Sequence, residues 1–102
     1  MDCEWDEAKR AANLAKHGVD FPAAAAVLEA RPLVFADERR DYGEARYVAL
    51  GELAGRLLVV VFTLRGQAVR IISARKANAR EVQLHARHQE RQDQLEEGGR
   101  RG

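Results

Sequence analysis

The sequence is poor in the residues that disulfides, metal centres and membrane spans require. It has one cysteine, Cys3, which cannot form a disulfide within the chain, and its three histidines form no Cys/His cluster of the zinc-binding kind. No apolar run approaches the roughly 20 residues of a membrane-spanning helix. The acidic start of the chain is unlike a signal peptide. We therefore expect a cytoplasmic protein with no metal, no other cofactor and no membrane partner.

Hydroxyl nucleophiles are almost as scarce. Ser73 is the only serine and Thr63 the only threonine, and both fall inside predicted strands. The sequence has no glycine-rich phosphate loop and no Gly-x-Ser-x-Gly motif. These absences argue against nucleotide-binding folds and serine hydrolases.

The charges are balanced in total but not in position. No acidic residue lies between Glu52 and Glu81, a stretch that carries Arg56, Arg70 and Arg75 among its basic residues. A basic segment of this kind attracts phosphate groups. Lysine supplies only three of the 17 basic residues. Arginine suits bidentate phosphate contacts, although a GC-rich genome also raises the arginine content.

The pattern of apolar residues and breakers predicts one α+β domain in the order β-α-α-β-β-β-β-α. Asp6 and Gly18 are the expected caps of the first helix, and Asn78 with Glu81 resembles a capping box at the start of the last. We predict an antiparallel sheet, with two N-terminal helices on one face and a C-terminal helix. The predicted elements are strand 2–5, helix 7–17, helix 21–30, strands 33–35, 46–51, 57–63 and 69–74, and a helix from about residue 79. The apolar run 57–62 should be the central strand, covered on both faces. The domain should span 1–97, with a disordered tail at 98–102.

Histidines and arginines are the candidate functional residues. His17, just before Gly18, either interacts with the negative end of its helix or joins Lys9 and Lys16 in a phosphate-binding edge. His85 and His88 share a helix face but lack a third ligand, so a solvated face is expected there.

The spacing of Arg70 and Arg75 limits how many arginines one face of the strand can present. Arg70 and Arg75 should point to opposite faces of a regular strand, because their separation is odd. The charged segment Asp37 to Asp41 is expected to be a salt-bridged loop with no catalytic role.

Three sequence motifs carry a family resemblance. They are Trp5-Asp6-Glu7-Ala8-Lys9 followed by Asn13 and Lys16-His17-Gly18-Val19-Asp20-Phe21; Asp41-Tyr42-Gly43-Glu44-Ala45-Arg46 followed by Gly51; and Arg70-Ile71-Ile72-Ser73-Ala74-Arg75-Lys76-Ala77 followed by Glu81. In this order, over about residues 4–85, they resemble the BrnT family of toxins. The chain departs from the family pattern at Ala45, where a glutamate is common, and at His85, where a tyrosine is common.

The resemblance implies a RelE-like fold and a ribonuclease toxin of a type II toxin–antitoxin system that cleaves RNA and inhibits translation. It also implies a BrnA-like ribbon-helix-helix antitoxin, in a complex of two toxins with two antitoxins that contacts operator DNA only through the antitoxin.

Metal-free RNA cleavage requires proton transfer and stabilisation of the charge on phosphorus. We expect Arg46 and Arg75 to contact the scissile phosphate and His17 to transfer the proton. Lys9, Lys16, Arg70 and Lys76 are the expected substrate-binding residues. The alternatives are a non-catalytic RNA- or ribosome-binding module, and a scaffold that holds an antitoxin on DNA.

Overall fold

Three helices and five strands form in the predicted order in a computed structural model, which describes residues 1–100 and the side chains of residues 1–96. The strands are β1 (Cys3–Glu4), β2 (Leu33–Ala36), β3 (Tyr47–Leu53), β4 (Arg56–Arg65) and β5 (Ala68–Lys76). The helices are α1 (Glu7–His17), α2 (Phe21–Glu29) and α3 (Ala79–Arg100). The α+β class is confirmed. The tail predicted at 98–102 lies outside the residues whose side chains are described; α3 continues to Arg100, and residues 101 and 102 lie outside the described chain.

The strands form one open sheet in the order β1-β5-β4-β3-β2. β2 to β5 are an antiparallel meander, but β1 pairs in parallel with β5, with Cys3 opposite Val69. The prediction of a purely antiparallel sheet is therefore wrong at β1. The two helices between β1 and the meander are long enough for β1 to pair with β5 in either direction. A strand of two residues has no sequence pattern that distinguishes parallel from antiparallel pairing.

The core lies between α2 and the sheet. Leu58 and Val60 of β4 are buried on the α2 face, whereas Val59 is buried in a smaller cluster on the other face with Val48 and Leu50. The prediction of a central strand buried on both faces is confirmed.

Gly51 of β3 allows α2 to approach the sheet. A Cβ atom at this position would lie 2.8 Å from Cγ1 of Val27 and 3.1 Å from Cβ of Pro32. A side chain at position 51 would therefore push α2 and the segment after it away from the sheet.

The predicted helix caps are present. The Asp6 carboxylate accepts a hydrogen bond of 3.0 Å from the Lys9 backbone N–H, and Gly18 ends α1 with φ of 70°. At the start of α3, the Asn78 and Glu81 side chains each accept a 2.9 Å hydrogen bond from the other's backbone N–H. Asn78 and Glu81 therefore form a complete capping box.

A β-bulge in β5 changes where two arginines point. Phe62 of β4 pairs with Ile71 and Val61 with Ser73, so Ile72 is the extra residue. The bulge shifts the alternation by one, and Arg70 and Arg75 come to lie on the same face. The prediction that they point to opposite faces is wrong because it assumed a regular strand.

Asn13 of α1 closes the free edge of β5 beyond its short pairing with β1. Its amide Nδ2 donates to the carbonyls of Ala74 (2.8 Å) and Val19 (2.9 Å), and its Oδ1 accepts from the Ala74 N–H (3.1 Å). One buried side chain thus supplies both hydrogen bonds that a neighbouring strand would make, and it fixes α1 against β5.

No helix in the described part of the chain combines the length and the apolar character needed to cross a bilayer.

Candidate active site

The sheet face opposite α2 carries a pocket of about 310 Å³. Its floor includes Val48, Val59 and Val61 of the central strands. Its charged lining residues are Asp37, Glu38, Arg39, Arg75 and Glu81. The pocket, here called the arginine pocket, lies between the loop after β2 and the start of α3.

Arg75 is held at this pocket by Glu81. Its Nη1 donates to Oε1 and its Nη2 to Oε2, both at 2.8 Å, and Nη1 also donates to the Lys76 carbonyl at 3.3 Å. The hydrogen bonds raise the pKa of Arg75 and lower that of Glu81. Arg75 Nε–H and one Nη2–H make no hydrogen bond within the described residues, so two donors are left for a ligand.

Arg39 reaches the same pocket from the loop after β2. Its Nε and Nη2 donate to the two carboxylate oxygens of Asp37, each at 2.8 Å, and the Tyr42 hydroxyl donates to Asp37 Oδ2 at 3.1 Å. The Asp37 side chain is 2% exposed. Its hydrogen bonds to Arg39 hold its pKa far below the ordinary value, although burial opposes this shift. Arg39 and Arg75 line the same pocket, and the positive charge of Arg39 slightly offsets the upward shift of the Arg75 pKa.

Arg46 lies in a neighbouring pocket of about 370 Å³, here called the tyrosine pocket. Its guanidinium carbon lies 4.0 Å from the ring centroid of Tyr42, and that of Arg40 lies 5.0 Å from the same centroid. Ala36, Asp37 and Glu38 line both pockets. Arg46 and Arg75 are therefore neighbours across this shared wall and do not line one pocket.

Lys9, Lys16 and His17 lie together along α1. They line a third depression, here called the lysine edge, with Ile72 and Ser73 of β5. Ser73 also lines the arginine pocket. The lysine edge and the arginine pocket therefore meet at this residue.

The remaining expected substrate-binding residues lie outside these three depressions. Arg70 donates a 3.0 Å hydrogen bond to Glu4 of β1, and its side chain is 24% exposed. Lys76 is exposed at the end of β5. Within the described residues, no group of three His, Cys, Asp or Glu side chains is placed to hold a metal ion.

Four residues of these pockets escaped the sequence reasoning. The sequence places Asp37 and Arg39 in a salt-bridged loop with no expected catalytic role. It marks Tyr42 only as a position of a family motif, and Glu81 as a motif position and a helix cap. The available signal was the clustering of acidic and basic residues between β2 and β3, but such runs are usually solvated. The burial of Asp37 is visible only in the structure.

The fold and these pockets define a small α+β protein whose open sheet face carries arginine side chains held by carboxylates. The chain belongs to the family described as "Ribonuclease toxin, BrnT, of type II toxin-antitoxin system", whose model matches residues 5–81. The match includes all three depressions and ends at Glu81, and it confirms the resemblance seen in the sequence. Membership makes the chain a ribonuclease toxin with an antitoxin protein as its partner. No curated protein sequence matches the chain significantly.

Proposed function

We propose that this chain is a metal-independent endoribonuclease of the cytoplasm that cleaves RNA in the arginine pocket and thereby inhibits translation. The observation that carries the proposal is the convergence of Arg39 and Arg75 on one pocket. Each guanidinium is fixed by a carboxylate. Donors fixed in advance stabilise charge that develops in a transition state, because little reorganisation is needed during the reaction.

The scissile phosphate binds between the two guanidinium groups. Arg75 offers Nε–H and its free Nη2–H, and Arg39 adds positive charge. The site expected from the sequence had Arg75 and Arg46 on the scissile phosphate. In this proposal Arg39 takes the place of Arg46. Arg46 instead contacts the RNA next to the scissile phosphate, from the tyrosine pocket.

The lysine edge binds the phosphates on the other side of the cut. Lys9 and Lys16 carry two positive charges there, and no acidic side chain lines that depression. His17 lies on the same edge and transfers a proton to or from the ribose hydroxyl or the leaving oxygen. Arg70 and Lys76 contribute longer-range attraction for the RNA backbone.

The antitoxin is proposed to be a BrnA-like ribbon-helix-helix protein that forms a complex of two toxins and two antitoxins and contacts operator DNA itself. Support comes from the surface between β2 and α3. There Phe35 and Leu84 are each more than 40% exposed. A groove lined by Leu33, Leu84 and Arg87 lies beside them. A protein partner would remove this apolar surface from water.

Expression of the chain alone tests the proposal. We expect growth arrest and a fall in protein synthesis, and rescue when the neighbouring antitoxin gene is co-expressed. Purified protein should cleave RNA in excess EDTA. Binding of RNA without cleavage would favour the RNA- or ribosome-binding module, and normal growth with abundant soluble chain would favour the scaffold.

Arg39→Ala tests whether Arg39 belongs to the phosphate site, where the sequence analysis did not place it. It should slow cleavage strongly, whereas Arg56→Ala, at the start of β4 on the α2 face, should cleave like the parent. Equal rates for both variants would remove Arg39 from the phosphate site.

A further inference from the structure

We propose that the tyrosine pocket binds a nucleobase of the RNA, preferentially guanine, and so determines the sequence at which the chain cleaves. The inference rests on the proposed function, because it treats the shared wall of the two pockets as the boundary between a phosphate site and a base site.

The pocket contains a rigid stacking surface. Tyr42 is fixed through its hydroxyl by the buried Asp37, and the guanidinium carbons of Arg46 and Arg40 lie over its ring, 4.0 and 5.0 Å from the centroid. The Arg46 side chain lines the pocket and remains 25% exposed, so it is accessible to a ligand there. Bases of single-stranded RNA stack on aromatic rings and on arginine planes.

The charge of the pocket favours a base over a phosphate. Its lining carries four carboxylates and two arginines; the carboxylates are Asp37, Glu38, Asp41 and Glu44, and the arginines are Arg40 and Arg46. This lining holds one carboxylate more than that of the arginine pocket, where Asp37, Glu38 and Glu81 accompany Arg39 and Arg75, and the lysine edge carries only basic residues among its charged ones. A phosphate is therefore less favoured here than in the other two depressions. The pocket therefore suits a neutral group that donates hydrogen bonds.

Glu44 has free acceptor capacity. Its oxygens lie 3.8 Å from Arg46 Nε and 3.9 Å from Arg65 Nη2, beyond hydrogen-bond distance, and its side chain is 35% exposed. Arg46 Nε is itself buried without a hydrogen bond within the described residues. Asp37, by contrast, is engaged by Arg39 and Tyr42. Glu38 and Glu44 accept no hydrogen bond within the described residues, and Glu44 is the one of the two that lies beside Arg46, so we assign the ligand's donors to Glu44.

Guanine matches these groups. Its Watson–Crick edge presents two adjacent N–H donors, which one carboxylate accepts as a pair, and its O6 accepts from a guanidinium. Adenine, cytosine and uracil lack two adjacent ring and amino donors on that edge. Because Asp37 holds both Arg39 and Tyr42, the base pocket and the phosphate pocket are fixed relative to each other.

Binding and cleavage measured on matched RNAs test this inference. The probes are pentauridylates whose central nucleoside is replaced by guanosine, inosine, adenosine or cytidine, in ribose form for cleavage and in 2′-O-methyl form for binding. Inosine lacks the amino group of guanine, so it tests a single hydrogen bond. The proteins are the parent, Glu44→Gln, and Glu52→Gln as an exposed control on β3.

We expect the parent to bind and cleave the guanine probe best, with about a tenfold loss for inosine, as a hydrogen bond to a charged group suggests. Glu44→Gln should remove most of the difference between guanine and inosine and leave the melting temperature unchanged. Glu52→Gln should retain that difference.

Two results separate the inference from the proposed function. Cleavage that shows no preference for guanine, or a preference that Glu44→Gln leaves intact, overturns the base site while the ribonuclease stands. Guanine-selective binding that is lost in Glu44→Gln, without cleavage of any RNA, supports the base site and contradicts the ribonuclease. Equal binding of all four probes by the parent overturns the base site whatever the cleavage result.

Discussion

Arg75 and Glu81 are joined by two parallel hydrogen bonds of 2.8 Å, which link the end of β5 to the first turn of α3. Glu81 also accepts from the Asn78 backbone N–H at 2.9 Å. The Glu81 carboxylate therefore caps the N-terminus of α3 and orients Arg75 toward the arginine pocket. The guanidinium is fixed before any ligand arrives.

Glu81→Gln should separate these two roles. Glutamine at this position still completes the capping box, so the melting temperature should change little. The charge-assisted pair with Arg75 is weakened, and RNA cleavage should slow by about tenfold. A rate equal to or above that of the parent would show that Glu81 restrains Arg75 instead of positioning it.

Asp37 should make stability depend on pH in the acid range. Its pKa is lowered in the folded chain, mainly by the Arg39 hydrogen bonds. Its contribution is therefore fully present above the unfolded pKa, about 3.9, and is lost as pH falls toward the folded value. Asp37→Asn should lower the free energy of unfolding at pH 7 by about 1–2 kcal/mol, a modest loss because Arg39 is largely exposed.

Denaturant titrations of the parent and Asp37→Asn at pH 7 and pH 3 measure this contribution. The gap between the two proteins should narrow at pH 3. Asp41→Asn, in the same loop, is the control. A gap that is equal at both pH values would contradict the assignment to Asp37.

Asn13→Ala should destabilise the chain by at least about 2 kcal/mol, because it leaves the buried N–H and carbonyl of Ala74 without their partner. Asn13→Asp should also destabilise, since a carboxylate cannot donate to the carbonyls of Ala74 and Val19. Urea unfolding measures both variants, with Gln67→Ala in the β4–β5 turn as an exposed control. Parent-like stability of Asn13→Ala would show that α1 does not depend on this amide.

Local signals in the sequence predicted most of the fold. Asp6, Gly18 and Asn78 mark helix ends through chemistry that acts within a few residues, and the apolar run of β4 identifies the central strand. The parallel pairing of β1 and the bulge at Ile72 depend on tertiary contacts. Neither is encoded in a local pattern, and both predictions failed there.

The candidate site divides in the same way. The lysine edge follows from helical spacing, so Lys9, Lys16 and His17 could be grouped in advance. The arginine pocket joins a loop, a strand and a helix that are distant in sequence. Its pairs Asp37–Arg39 and Arg75–Glu81 resemble ordinary surface charges until the burial of Asp37 and the shared pocket are seen.

Cleavage of a 5′-labelled RNA by purified parent and Arg75→Ala protein, in excess EDTA, tests the central claim most directly. The parent should cleave, and Arg75→Ala should be slower by about 10²–10³-fold, the usual loss for one preorganised donor. Arg75→Lys should recover only part of the rate, because an ammonium lacks the bidentate fork. Melting curves establish that each variant is folded. Arg56→Ala controls for the loss of an arginine outside the site. An Arg75→Ala protein that melts and cleaves like the parent would contradict the account.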